Sequence, residues 1–205
     1  DAYDVDVVID ATGRFLNRDE LSAHLDSGAK RVFISRNAKD TIDRYVIPGI
    51  NESSIKSSDQ IISTTSSTTQ VLALMVKMLD ESFGLNRAMM TTVHAYTADQ
   101  PLADAAGVDL RRSRSAVENI IPNTTLAPSI VESLMPQFSG KLDGIAFNVP
   151  VPNGSCVDLT TELENTPSVD EANDAIKNFS KGSLKGIVGY TAVSYTHLRA
   201  HETGY

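Results

Sequence analysis

The sequence predicts an α/β fold in which the edge of a doubly wound parallel sheet is followed by a mixed sheet. Val5–Asp10 and Lys30–Ser35 are strand-like runs rich in β-branched side chains, and a short helical pattern between them completes a β-α-β unit. Further along the chain, residues 88–97 and 144–163 alternate between apolar and polar side chains, which is typical of strands in a mixed sheet.

The first helix is predicted between the two strand-like runs. Asn17 can cap its first turn, and Glu20 stands at the capping-box position three residues later. Ligands of doubly wound sheets bind beyond the carboxyl ends of the strands. In this chain that rule indicates a binding edge near Thr12, Gly13 and Ser35.

A run of hydroxyl side chains, Ser63–Thr69, leads into the second predicted helix. Apolar residues from Val71 to Phe83 cover nearly its whole circumference, which predicts a buried helix, and Gly84 is expected to end it. The hydroxyl run has two interpretations. It can be a helix cap, or it can be a turn whose free N–H groups face an anionic ligand or oxyanion.

The later elements follow from the same patterns. An irregular segment is expected over residues 98–114, and a helix from about Thr125 to Met135. Ser168 and Glu171 form a predicted capping box at the start of an amphipathic surface helix.

Composition narrows the classes of function. The 205-residue chain has a formal net charge of −8, which argues against a nucleic-acid partner. Its one Cys excludes an internal disulfide framework, and no apolar run approaches the ~20 residues of a membrane span.

Three single residues offer chemistry. His94 lies in a strand-like segment, where a lone histidine is more often a core residue than a base. His24 lies on a helix face among Ser and Asp, and we expect it to be solvated. Cys156 begins an alternating strand and is expected to behave as a small buried hydrophobe.

The last segment, residues 192–205, does not fit the pattern of the preceding chain. It resembles the translated frame of a transposase adapter used in sequencing libraries, so Thr191 is taken as the last native residue. The alternative is a genuine tail in which His197 and His201 bind a metal. The chain also starts within a strand pattern, so we expect truncation at both ends.

Six segments, in this order, resemble motifs of the glyceraldehyde-3-phosphate dehydrogenase family, which includes erythrose-4-phosphate dehydrogenase. Any one of them is a modest signal, whereas the ordered set, from about residue 4 to residue 191, is specific. The segments are ATGRF at 11–15, AHLDSGAKRVFIS at 23–35, IISTTSSTTQ at 61–70, TTVHAYT at 91–97, DLRRSRSAVENIIP at 109–122 and LKGIVGYT at 184–191.

The resemblance implies a division into two domains. Residues 1–66 would be the C-terminal part of a Rossmann NAD(P)-binding domain, and residues 67–191 most of an α+β catalytic domain with a mixed sheet. It also implies NAD or NADP as cofactor, a phosphorylated aldehyde and inorganic phosphate as substrates, a role in glycolysis, and a cytoplasmic homotetramer without a metal. The glycine fingerprint of the family and its nicotinamide-orienting Asn would lie outside this chain.

The resemblance also implies roles for single residues. In the family a Cys thiolate attacks the aldehyde, a His takes the proton, and hydride passes to the nicotinamide. Position by position, Ser67 stands at the nucleophile and His94 at the base. The dinucleotide contacts would be Thr12, Gly13 and Ser35. The substrate- or phosphate-binding positions would be Ser66, Thr68, Thr97, Arg111, Thr125 and Asn148.

Three positions depart from the family pattern. Ser67 replaces the nucleophilic Cys, Asn148 replaces a phosphate-binding Arg, and Leu126 replaces a Gly. The first departure matters most, since a helix N-terminus can help to ionise a thiol but a serine needs a positioned general base.

Three hypotheses therefore stay open. The protein can be an active oxidoreductase with altered chemistry, or a silent paralogue that binds nucleotide and oligomerises. It can also be a serine hydrolase built from Ser67, His94 and Asp99, although no G-x-S-x-G motif supports this. Likewise, the basic run Arg111–Arg114 is either a phosphate-binding loop or a solvated charge cluster.

Overall fold

The structure is a computed structural model that describes residues 4–192. Its first sheet is parallel throughout. The strands of this sheet run in the order β1-β2-β4-β3. Helix α1, Arg18–Asp26, connects β1 to β2, which confirms the predicted β-α-β unit. The strands are β1 Val7–Asp10, β2 Arg31–Ile34, β3 Arg44–Tyr45 and β4 Ile61–Ser63.

The second sheet is mixed, as predicted. Its strands run in the order β6-β7-β5-β8, with β5 parallel to β7, β8 antiparallel to β5 and β6 antiparallel to β7. The short strand β6 was not predicted, because three residues that include Pro122 give no measurable alternation. The strands are β5 Leu85–Ala95, β6 Ile121–Asn123, β7 Leu142–Val149 and β8 Ser155–Leu163.

The helices lie where the sequence predicted them. Gly84 follows α2 with φ +71°, a conformation that glycine adopts without steric cost. The prediction that α2 is buried all round is wrong at Val71, whose side chain is 42% exposed beside the candidate site. The helices are α2 Ser67–Phe83, α3 Ala127–Leu134 and α4 Val169–Lys181, and short 3-10 turns occupy Glu52–Ser54 and Pro136–Phe138.

The main hydrophobic core lies between the second sheet and helices α2 and α3. Leu72 and Val76 of α2 and Val131 of α3 pack in one buried cluster with Met90 of β5. Because side chains alternate along a strand, the face of β5 that carries Met90 also carries His94. The alternation therefore directs His94 towards the helical layer.

Strand β1 is less buried than its composition predicts. Val7 and Ile9 are 48% and 73% exposed, so the prediction of a buried strand is wrong at these positions. The reason is that β1 is an edge strand of the described sheet, and Asp10, on the alternate face, is buried instead.

Within residues 4–192, no helix has the length and apolar character needed to cross a bilayer. The segment predicted to be an adapter translation, including His197 and His201, lies outside the described residues apart from Ala192.

Candidate active site

The carboxyl ends of β1, β2 and β4 meet at one edge of the parallel sheet. Thr12 and Gly13 follow β1 and Ser35 follows β2, so the structure brings the three predicted cofactor residues to the same edge. The main-chain N–H of Ser35 donates to the carbonyl of Asp10 at 3.3 Å, which ties the two strand ends together.

Asp10 organises the turn that follows β1. Its buried carboxylate accepts hydrogen bonds from the Thr12 main-chain N–H at 2.9 Å and from the Thr12 hydroxyl at 2.7 Å, and His24 Nε2 lies 3.1 Å from it. Burial raises the pKa of Asp10, but the hydrogen bonds from Thr12 and His24 outweigh burial, and the pKa lies below its ordinary value. The prediction that His24 is solvated is therefore wrong, because β1 brings Asp10 to its side chain.

The turn between β4 and α2 contains a strained residue. Thr65 is buried and has φ +64°, a left-handed conformation that costs a residue with a Cβ about 1–3 kcal/mol. Hydrogen bonds hold the turn: Ser63 Oγ accepts from Thr65 N at 2.9 Å and donates to the Arg36 carbonyl at 2.7 Å. Gln70 Nε2 also donates to the Thr64 carbonyl at 2.7 Å. Such strain is found chiefly at functional sites.

In the first turn of α2, the Ser66 hydroxyl caps the helix, whereas the Ser67 hydroxyl is exposed. Ser66 is the N-cap, since its Oγ accepts from Thr69 N at 3.2 Å and lies 2.8 Å from Thr69 Oγ1. The cap interpretation is thus confirmed for Ser66. Ser67 is exposed at the next position and lines a cavity of about 130 Å³ with Thr68, Val71 and β8.

His94 contacts the helix at Thr68. Its Nε2 lies 2.7 Å from Thr68 Oγ1, whereas no hydrogen bond joins His94 to Ser67 within residues 4–192. Burial lowers the pKa of His94, so the imidazole is neutral near pH 7 and can accept a proton. The group next to this base is therefore the Thr68 hydroxyl.

Cys156 lines the same small cavity as Ser67 and Thr68, but it is not placed beside His94. It pairs with Val93, and paired residues of antiparallel strands share a face, so its side chain points away from the face that carries His94. The thiol is exposed, which shows that the prediction of a buried hydrophobe is wrong.

The irregular segment brings Arg112 close to Asp99 and Thr97. Arg112 forms an ion pair with Asp99, and Asp99 also accepts from the Thr97 hydroxyl. The hydrogen bond from Thr97, together with Arg112, holds the pKa of Asp99 below its ordinary value. Arg111 is exposed, and its side chain makes no hydrogen bond or ion pair with any other part of 4–192.

These contacts bear on the two interpretations of the basic run. Arg114 pairs with Asp104 at 3.1 Å. Of the three arginines in the run, Arg112 and Arg114 are therefore neutralised by nearby acids. Asp99 is occupied by Thr97 and Arg112, and the described structure does not assemble it with His94 into a hydrolase triad.

Two further features of the described residues lie apart from this site. A cavity of about 670 Å³ lies at the starts of β5 and β7, the ends away from His94, and none of the predicted site residues lines it. No group of three or more His, Cys, Asp or Glu side chains in residues 4–192 is arranged to hold a metal ion.

Comparison with known proteins decides the family. The sequence model of the family described as "Glyceraldehyde 3-phosphate dehydrogenase, C-terminal domain" matches residues 66–198. The chain belongs to the glyceraldehyde-3-phosphate dehydrogenase family.

Relatives named glyceraldehyde-3-phosphate dehydrogenase match nearly all of the chain. The protein of Mycobacterium tuberculosis is 48% identical over 186 residues, and that of Geobacillus stearothermophilus is 46% identical over 188. Each match covers 91% of this chain but only 55% and 56% of the two relatives. The chain therefore spans about half the length of the curated relatives it matches.

Two more positions predicted to bind phosphate in this glyceraldehyde-3-phosphate dehydrogenase family member are Asn148, beside His94, and Thr125, before α3. Asn148 pairs with His94 across β5 and β7; its Nδ2 donates to the Ala95 carbonyl and its Oδ1 accepts from Asn123, both at 3.1 Å. Thr125 Oγ1 accepts from Ala127 N at 3.2 Å at the start of α3. Both side chains thus have partners within the protein.

Several residues of this edge carry little or no local sequence signal. Asp10 and Thr65 owe their roles to contacts and backbone conformation that no local pattern announces. Asn37 Oδ1 is buried and has no hydrogen-bond partner within residues 4–192. The signal for Arg36 was a cation directly after the β2 strand pattern, at the end where ligands of such sheets bind.

Proposed function

We propose that the full-length protein is an NAD(P)-dependent oxidoreductase of the glyceraldehyde-3-phosphate dehydrogenase family that oxidises a phosphorylated aldehyde. The relatives' names supply the substrate class, and inorganic phosphate would be the second substrate. We further propose the domain division at residues 66 and 67, a cytoplasmic location and a homotetramer, on the same family basis.

One observation carries the proposal: the hydrogen bond between Thr68 and His94. Thr68 lies in the turn that follows β4 of the parallel sheet, and His94 lies in β5 of the mixed sheet. The contact therefore joins a cofactor-type sheet edge to a neutral proton acceptor. Hydride chemistry on an aldehyde requires these two components side by side.

The strand-end edge fits a dinucleotide. Thr12, Gly13 and Ser35 would hold it. A Cβ at position 13 would lie 3.2 Å from Arg36 Nη1, and glycine leaves that space open. The unpartnered Asn37 Oδ1 is an acceptor that a ligand donor would satisfy. When bound, the nicotinamide supplies the hydride acceptor.

Substrate would lie against the first turn of α2. Ser67 occupies the nucleophile's position, and its hydroxyl would need a base, which His94 can supply once Thr68 has released Nε2. The phosphate groups would contact Ser66, Thr68, Thr97, Arg111, Thr125 and Asn148.

A second candidate function is a silent paralogue that binds nucleotide and oligomerises. It is favoured by the pairing of His94 with Thr68 rather than Ser67, because the serine at the nucleophile position then has no base in contact. Cofactor binding is common to both candidates, whereas aldehyde oxidation belongs only to the first.

The test has two arms. Calorimetric titration of the full-length protein with NAD and NADP should give saturable heat with at least one of them; the absence of heat with either at millimolar concentration contradicts both candidates. Reduction of the cofactor by glyceraldehyde 3-phosphate with phosphate, or by erythrose 4-phosphate, then separates the active enzyme from the silent paralogue.

A further inference from the structure

Arg36 stands between the two halves of the candidate site. It follows β2, and its main-chain carbonyl accepts the Ser63 hydroxyl at 2.7 Å, where the strained turn into α2 begins. Its guanidinium reaches the other way, with Nη1 donating to the Gly13 carbonyl at 3.1 Å. Arg36 therefore spans the edge, with its main chain at the end of β4 and its side chain at the end of β1.

The guanidinium of Arg36 is largely unused by the protein. An arginine has five N–H donors, and the Gly13 carbonyl is the one acceptor that Arg36 contacts within residues 4–192. Arg36 is exposed, so its remaining donors face solvent at the edge. That contact uses Nη1 and leaves the other donors of the guanidinium available.

Arg36 has no carboxylate partner within residues 4–192. Five of the nine arginines in that range form an ion pair with a carboxylate. The paired arginines are Arg18, Arg44, Arg87, Arg112 and Arg114. Arg14, Arg31 and Arg111 likewise form no ion pair with a carboxylate of residues 4–192. What distinguishes Arg36 from Arg31 and Arg111 is its place at the strand-end edge.

We propose that Arg36 binds a phosphate group of a small-molecule ligand at the edge where β1, β2 and β4 end. A planar guanidinium presents paired donors that match the oxygens of a phosphate. The proposal rests on the proposed function for the nature of the ligand. The phosphate belongs either to the pyrophosphate of a dinucleotide or to the aldehyde substrate.

The experiment compares full-length wild type with Arg36→Gln and with the control Arg87→Gln. Both variants lose one positive charge, but Arg87 is an exposed arginine at the start of β5, paired with Glu162. Each protein is titrated calorimetrically with NAD, NADP, inorganic pyrophosphate and glycerol 3-phosphate, after circular dichroism has shown native folding.

We expect Arg36→Gln to weaken binding of at least one probe by about tenfold to a hundredfold, the loss expected for a charge-assisted hydrogen bond. Arg87→Gln should stay within about twofold of wild type. Losses for NAD and pyrophosphate assign the site to the dinucleotide, whereas a loss confined to glycerol 3-phosphate assigns it to the substrate.

The remaining outcomes separate this proposal from the proposed function. If wild type binds NAD and Arg36→Gln binds every probe as Arg87→Gln does, the role of Arg36 is overturned and cofactor binding stands. If wild type binds pyrophosphate through Arg36 but binds no dinucleotide, the Arg36 site stands and the proposed function fails. If wild type binds no probe, both are overturned.

Discussion

At the scale of single residues, the chemistry of the candidate site depends on which hydroxyl hydrogen-bonds to His94 Nε2. His94 Nε2 has one lone pair, and Thr68 Oγ1 lies 2.7 Å from it. With Nε2 unprotonated, the Thr68 hydroxyl donates to it. Any nucleophile at position 67 must displace that donor before His94 can take its proton. Under the proposed function, Thr68 would therefore limit His94 as a base.

A thiol introduced at position 67 measures this competition. Ser67→Cys should react with iodoacetamide faster than free cysteine, because a helix N-terminus stabilises the thiolate. Adding Thr68→Val removes the competing hydroxyl and frees Nε2, so the double variant should react faster still near neutral pH. Thr68→Ser in the same background keeps the hydroxyl and is the matched control. The measurement is the alkylation rate against pH.

Two results would contradict this account. Equal rates for the valine and serine variants would show that Thr68 does not compete for His94. A thiol in every variant that titrates near ~8.5, the value for free cysteine, would show that position 67 is not activated at all, and the turn would act only as a helix cap.

The sequence predicted the identity of these residues better than their contacts. The hydroxyl run and His94 were recognised, but their pairing through Thr68 depends on the side on which the helix approaches β5. Arg112 and Arg111 are neighbours in the same basic run, and only the path of the irregular segment brings Arg112 to Asp99.

At the scale of elements, the turn between β4 and α2 is the feature that positions the site. The turn reverses from strand to helix within Thr64–Ser66, and Thr65 takes the left-handed conformation. The hydrogen bond from Thr65 N–H to Ser63 Oγ and the one from Gln70 Nε2 to the Thr64 carbonyl offset that strain. As a result the N-terminus of α2 faces the strand-end edge.

Substitutions at position 65 test whether the turn is strained. A left-handed conformation costs a residue with a Cβ about 1–2 kcal/mol, a cost that glycine avoids. We therefore compare the Gly and Ala variants at position 65 with the Gly and Ala forms at position 73. Relative to position 73, glycine at position 65 should gain about 1–2 kcal/mol of stability over alanine. Ala73 is equally buried but lies within α2, where glycine is about 1 kcal/mol worse than alanine.

The measurement is the free energy of unfolding in urea of the Gly and Ala variants at both positions. Comparison of two buried sites cancels most of the packing loss. If the Gly–Ala difference is the same at positions 65 and 73, Thr65 is not strained in solution and the turn has another conformation there.

Element type was more predictable than element exposure. Long periodic segments such as Leu85–Ala95 and Ser67–Phe83 were identified because their apolar patterns persist over several turns or pleats. The exposure of Ile9 and Val71 was not predicted, since it depends on which neighbours cover a face. Strand β6 is stabilised by pairing with β7, which leaves no local signal.

At the scale of the whole molecule, the carboxylates with lowered pKa values and His94 both make the fold more stable as pH rises. The pKa of Asp59 is lowered to about 2, chiefly by its hydrogen bond from Arg44, and that of Asp43 is lowered because main-chain hydrogen bonds and Arg18 outweigh burial. Carboxylates with lowered pKa values stabilise the fold above their unfolded pKa, near ~4, and lose that contribution as pH falls further. Burial raises the pKa of Tyr45. The contribution of this shift to folding stability is present at neutral pH and is lost only above pH ~10.

His94 adds a step at higher pH than the carboxylates. Burial lowers its pKa below the ordinary 6.5, so the unfolded chain takes up the proton first as pH falls. Its contribution to stability is complete above about pH 6.5 and is lost as pH falls through the folded value. The urea midpoint of wild type should therefore be level from pH 9 to 7 and fall between pH 7 and 5.5, whereas that of His94→Gln should stay level over the same range. His24→Gln, the matched histidine control, should keep the fall. A fall of equal size in wild type and His94→Gln would show that His94 is not held neutral by burial and would remove the reason for treating it as the base.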